Sequence, residues 1–262
     1  MGLIGAAFGI GFVLGPAIGG ALVGFGAHAP FIGATVLCGV NFALAVVRLP
    51  EPRRVAPVAP GAAARRVDLR GLGRALSNRR LLPLLLLFFF ATFAVANLEA
   101  TFALMTNRVF KYGNRENAFL FTYIGVLLAV TQGGLVGRLA KRLGEPKLVV
   151  IGLLMTAVGL FAVPYAHDLR HLLVILAVFS IGSGIATPSI ASQISRTVHA
   201  DVQGGVLGAG QSMSSLARVV GPAFGGFAFD RLGVPAPYLI GASIMAIAWT
   251  ISLTLLRPPA KA

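Results

Sequence analysis

Between Leu82 and Thr106 the chain carries 25 consecutive residues with a single charged group, Glu99. A stretch of about 20 mostly apolar residues matches the hydrocarbon thickness of a bilayer at helical rise. Seven further stretches of that kind follow from the same window: Gly2–Gly24, Pro30–Val47, Ala118–Val136, Leu148–Tyr165, Leu172–Ile194, Val206–Phe229 and Pro237–Leu256. In lipid every backbone amide must be satisfied within its own segment, so eight such stretches predict eight helices. Composition agrees, because 56% hydrophobic and 11% charged residues are too apolar and too little charged for one water-soluble core. The soluble enzyme classes are thereby set aside.

The formal charge of +14 would suit a nucleic-acid partner if it formed one basic face. Instead the cations fall in the gaps between apolar stretches, sixteen on one side of the predicted membrane and five on the other, with Arg218 inside a span. That bias predicts both termini in the cytoplasm and no nucleic-acid partner. The first residues show no basic n-region or cleavage site, so no signal peptide is read there. Abundant alanine and an excess of arginine over lysine suit a bacterial inner-membrane protein. The one cysteine, Cys38, excludes an intrachain disulfide.

Residues 49–80 form the only long connection, rich in Pro, Ala and Arg, and read as a cytoplasmic linker with a short surface helix over Val67–Leu76. The predicted organisation is therefore two helices in 1–48, the linker in 49–80, a six-helix bundle in 81–257 and a tail in 258–262.

An internal repeat runs through this organisation. Gly15-Pro16-Ala17-Ile18-Gly19-Gly20 matches Gly221-Pro222-Ala223-Phe224-Gly225-Gly226, and each copy precedes an Ala-Pro-aromatic start to the next span. Glycine on successive turns lets another backbone approach, and proline removes one helical hydrogen bond. Small-residue packing explains one copy, whereas two copies in the same context suggest a repeat-built carrier.

On these residues the chain resembles the major facilitator superfamily, and within it the drug:proton antiporters of the tetracycline-resistance type. The antiporter signature of the family's fifth helix is met by Gly11, Gly15, Pro16, Gly19 and Gly20, and its eleventh-helix form by Gly221, Pro222, Gly225 and Gly226. Leu49-Pro50-Glu51 matches the end of the sixth helix. The turn between helices eight and nine is matched by Gly137, Leu139, Arg142 and Gly144, with Lys141 where the family carries an acid. The resemblance implies an all-α, polytopic bundle corresponding to helices five to twelve of twelve. It also implies that helices one to four are missing, that Met1 stands near the start of helix five, and that this chain alone does not transport. The function implied is secondary, proton-coupled efflux of drugs or tetracycline-like compounds. The partners implied are the bilayer, a small-molecule substrate, protons and the absent N-terminal helices. A metabolite carrier of the same fold, or a non-transporting membrane partner, remains the alternative.

Glu99 is the only acid inside a span; it is read as a proton or cationic-substrate group, or as a group reaching the outer interface. Arg218 either clamps the helix beside the Gly-Pro bend or faces a wet cavity. Gln132 and Gln211 are the choices for the cavity, and Asn97 and Gln193 add further hydrogen-bonding groups at or near membrane depth. Phe89, Phe93, Phe102 and Tyr123 either line a drug pocket or face lipid, the commoner place for phenylalanine. No metal-ligand spacing, nucleophile–base set or phosphate loop occurs, which points away from enzymes, cofactors and ATP-driven pumps.

Overall fold

A computed structural model describes residues 2–49, 81–198 and 203–256. Among them the chain forms eight helices and no strands. They are α1 (Gly2–Val23), α2 (Ala29–Arg48), α3 (Leu81–Phe110), α4 (Asn114–Leu143), α5 (Glu145–Ala162, continued by the 3-10 turn Val163–Tyr165), α6 (Leu169–Arg196), α7 (Gln203–Leu232) and α8 (Ala236–Ser252). Each coincides with one of the eight apolar stretches. The linker, its surface helix and the C-terminal tail lie outside the described residues.

Among the described residues, five helices are long and apolar enough to cross a membrane by composition: α2, α3, α4, the α5 segment Glu145–Tyr165, and α6. Leu14–Val23 of α1 and all of α8 are shorter apolar helices. At 30 residues α7 is long enough to span, but its glycines, serines, Gln211 and Arg218 dilute its hydropathy.

The helix ends follow local chemistry. Asp168 caps α6, its carboxylate accepting a 2.8 Å bond from the His171 backbone N–H. The Glu116 carboxylate reaches back to the Gly113 N–H at 2.8 Å to open α4. Gly144 (φ +81°) and Gly233 (φ +94°) make the turns into α5 and α8, where a side chain would be strained. Within α4, Thr131–Leu135 winds as a π-helix, and the Val136 N–H donates to the Thr131 carbonyl five residues back.

The hydrophobic core is built from α3 to α8, with Leu85, Leu98, Phe102, Leu153, Leu160, Leu172, Tyr238 and Met245 all at most 1% exposed. No described side chain of α1 or α2 contributes to it. Rather, α1 packs along α4, and α2 rests on α1 with no residue buried. The most extensive contact joins α5 to α6. A Cβ on Gly152 would lie 2.7 Å from the Ala186 nitrogen, and one on Gly159 would lie 2.8 Å from the Phe179 Cα. Returning the contact, a Cβ on Gly182 would lie 2.7 Å from the Thr156 nitrogen. These two backbones meet because nothing larger than hydrogen separates them.

Candidate functional site: an open polar face on α3 and α7

Helices α3 and α7 pack side by side, and one face of α7 is buried against α3 through Gly210, Ser214, Ala217, Gly221, Gly225 and Ala228. That spacing is the three-and-four alternation of a helix face. A Cβ on Gly221 would lie 3.1 Å from the Phe93 carbonyl, so the second copy of the Gly-Pro repeat is the place where α7 closes on α3. The neighbouring face of α7 carries Gln211, Ser215 and Arg218 at i, i+4 and i+7, and all three are exposed. A polar stripe on a helix of this depth is costly in hydrocarbon and marks a face turned to water or to polar groups.

Glu99 stands half-buried on α3, and Arg218 is the charge that bears on its carboxylate. Among the described residues no ion pair within 4.0 Å joins them. Neither they nor Gln132 and Gln211 take part in a side-chain hydrogen bond there. The charge of Arg218 thus acts on Glu99 without an ion pair between them. Gln132 lies apart from them, half-buried in the π-helical turn of α4.

Asn97 is placed in the packed core, fully buried, and not on that open face. Its side-chain N–H donates to the Pro237 carbonyl at 2.8 Å, tying α3 to the start of α8. Its Oδ1 is unpartnered and lies against Gly225, at a point a Cβ would occupy. Phe102 is also core, meeting Phe121 edge-on at 5.6 Å, and Tyr123 donates its hydroxyl to the Leu173 carbonyl at 3.2 Å. Phe89, Phe93 and Phe224 instead form an aromatic ladder along the α3–α7 seam, with centroids 6.2 and 5.7 Å apart.

A cavity of about 430 Å³ opens one turn beyond Glu99, starting at Ala103 and bounded by Asn107, Arg108, Asn114, Phe229 and Asp230. The Arg108 guanidinium lies 4.7 Å over the Phe229 ring, a cation–π contact that draws α3 to α7 at this end.

The two copies of the repeat are used differently. Cβ atoms on Gly11, Gly15 and Gly19 would meet nothing within 4 Å, whereas one on Gly20 would lie 2.5 Å from the Ala118 Cβ at the start of α4. In the second copy Gly221 and Gly225 are the crowded positions, and Gly226 is open. Pro16 and Pro222 both lie inside their helices. Of the turn motif, Gly137, Leu139 and Arg142 belong to the last turns of α4, and only Gly144 forms the turn itself.

Three features of the structure lie outside those expectations. Glu145 accepts a 2.6 Å bond from Ser192 and pairs with Arg196 at 3.1 Å, clasping the start of α5 to the end of α6. The glycine seam of α5 and α6 was signalled by Gly152 and Gly159, seven residues apart, and the π-helical turn by the adjacent Gly133-Gly134.

A family model described as Major Facilitator Superfamily matches residues 1–145 and 133–262. The chain belongs to the major facilitator superfamily. Within that superfamily it is similar to the tetracycline resistance protein, class D, of Salmonella ordonez, 30% identical over 264 residues that cover 98% of this chain and 65% of that one. It is also similar to multidrug resistance protein 2 of Bacillus subtilis (strain 168), 24% identical over 249 residues, covering 94% of this chain and 62% of that one. The chain therefore spans just under two thirds of the length of these relatives. Its fold is that of the human organic anion transporter MFSD10 (TETRAN), whose crystal structure superposes with a TM-score of 0.76 at 23% identity over 96% of this chain and 62% of that one. Family, fold and apolar helices together make this a multi-pass membrane protein of the major facilitator superfamily.

Proposed function

We propose that the helices described here form part of a secondary carrier that exports drugs or tetracycline-like compounds in exchange for protons. The observation that carries the reading is the placement of Glu99 and Arg218 on two adjoining helices, within reach of each other's charge but without an ion pair. A carboxylate held in that way has two accessible states: proton-bound, or charged and balanced by the guanidinium. Substrate and proton can then compete for it. The stripe Gln211–Ser215–Arg218 supplies polar contacts along the path, the Phe89–Phe93–Phe224 ladder an apolar wall, and the cavity at Arg108 and Asp230 the outer vestibule. Helices α3 to α8 act as one bundle and α1 with α2 belong to its counterpart, the two rocking about the shared site. The cation-rich end lies at the cytoplasmic face of a bacterial inner membrane, as do both termini.

The test is drug-stimulated proton flux in everted vesicles. The chain is expressed alone and together with the part of the class D relative that the alignment leaves uncovered. Flux is expected only with both parts present and is expected to vanish in Glu99→Gln. Undiminished proton-coupled flux in Glu99→Gln overturns the assignment of Glu99, and flux from residues 1–262 alone overturns the need for a second part.

A further inference from the structure

At the junction of α4 and α5, Arg138, Lys141, Arg142 and Lys147 are all exposed. The one described acid beside them, Glu145, is already held by Ser192 and Arg196, and its side chain is only 12% exposed. None of the four cations has an ion pair among the described residues. The other described acids lie elsewhere: Glu99 within α3, and Glu116, Asp168 and Asp230 at the opposite helix ends. Among the described residues this turn therefore has no free counter-charge.

The cations are not isolated from apolar surface. Arg138, Lys141 and Arg142 share one side of the last turns of α4 at i, i+3 and i+4. Val126, Val130, Leu135 and Leu143 are exposed on the same helix, between 38% and 65%. A free phosphate would use the cations and leave this strip bare. An amphiphile covers both, its phosphodiester on the cations and its acyl chains along the valines and leucines.

We propose that the α4–α5 junction is a docking surface for the headgroup of an anionic phospholipid. The protein carries a built-in reporter, because Trp249 is its only tryptophan. A Cβ on Gly241, near the start of α8, would lie 3.6 Å from Leu160 at the end of α5, so the two helices run antiparallel. Trp249, late in α8, therefore lies at the same end of the bundle as Lys147, the third residue of α5.

The full chain is reconstituted in phosphatidylcholine vesicles doped with pyrene-labelled phosphatidylglycerol or pyrene-labelled phosphatidylcholine, and energy transfer from Trp249 is read. Transfer to the anionic probe is expected to exceed transfer to the zwitterionic one. At about 1 kcal/mol per basic residue near an anionic surface, Lys141→Gln should lower that preference about fivefold. Lys141→Asp, which reverses the charge, should lower it further, and about 0.5 M salt should weaken it through screening. Unchanged transfer to the phosphatidylcholine probe shows that a variant has folded and inserted. Equal transfer to both probes, or a preference indifferent to Lys141, Arg142 and Lys147 substitutions, overturns the proposal. So does full competition by soluble glycerophosphoglycerol, which would assign the surface to a water-borne anion.

Discussion

The α5–α6 seam offers the sharpest test of how this bundle is held together. In Gly152→Ala the new methyl would stand 2.7 Å from the Ala186 nitrogen and 2.8 Å from the Gly182 carbonyl, about 0.7 Å inside ordinary contact at 3.4 Å. Both obstacles are backbone, so no side chain can swing aside and the two helices must part by a similar distance. A radial gap of 0.5–1 Å forfeits a quarter to a half of each dispersion contact, and each contact is worth about 0.1–0.2 kcal/mol. With roughly fifty atom pairs along a seam of this kind, that is a loss of about 2–3 kcal/mol, in line with measured costs of overpacking. Alanine's better helix propensity returns about 1 kcal/mol, leaving a net cost of about 1–2 kcal/mol. Gly226→Ala is the matched control, since its methyl would meet nothing within 4 Å and should be neutral or stabilising by up to about 1 kcal/mol. Unfolding of both variants by SDS titration, followed by circular dichroism, measures the difference. Coincident midpoints for Gly152→Ala and Gly226→Ala would refute the view that backbone approach, rather than side-chain burial, fixes this pair.

Gly225→Ala should displace the Asn97 amide and break its 2.8 Å bond to the Pro237 carbonyl, costing about 1–3 kcal/mol in the same titration. Adding Asn97→Ala should recover part of that loss, a coupling of at least about 0.5 kcal/mol. Asp168 sits outside the membrane segments, and its carboxyl is held below the ordinary 3.8 chiefly by the His171 backbone N–H, with burial opposing and the charges of His171 and Arg170 assisting. Because the folded-state value is depressed, its capping contribution is complete above the carboxylate range and disappears as pH falls below 3.8. Exchange of the His171 amide should accelerate over that window beyond its intrinsic pH trend, and Asp168→Asn should abolish the extra acceleration. Gly20→Leu should push α1 off Ala118, so crosslinking between cysteines introduced at Ala17, one turn from Gly20 on the same face, and at Ala118 should fall severalfold, while Gly19→Ala leaves it intact.

The eight helices were legible because a bilayer leaves a helix little alternative: apolar length alone marks the stretch, as it does from Leu82 to Thr106. Ends were legible only where chemistry stops the helix. Gly144 was foreseen as a turn, but the preceding Gly137–Leu143 was read as part of that turn and is helical, since Leu139, Ala140 and Leu143 carry the amphipathic pattern onward. The membership of the site was less legible. A buried Asn97 and an exposed Gln211 look alike as polar letters in apolar text, and their positions are separated only by which helix packs on which face. Glu99 and Arg218 stood out because charge in a span is rare, yet their relation depends on α3 and α7 lying side by side, 119 positions apart in the chain. The clasp of Glu145 to Ser192 and Arg196 left no local trace at all, being a meeting of two helix ends.

The π-helical turn at Thr131–Leu135 sets the phase of α4. One inserted residue rotates everything beyond it by about 100° relative to an uninterrupted α-helix. The stretch before the turn aims Ala118 at α1, and the stretch after it carries Arg138, Lys141 and Arg142. Deleting Gly133 would restore a plain α-helical winding and swing those cations about a quarter-turn around the helix while Ala118 stayed in place. The two ends of this one helix are thus geared to each other through a single five-residue tooth, and losing that tooth would turn the basic end while Ala118 kept its place against α1.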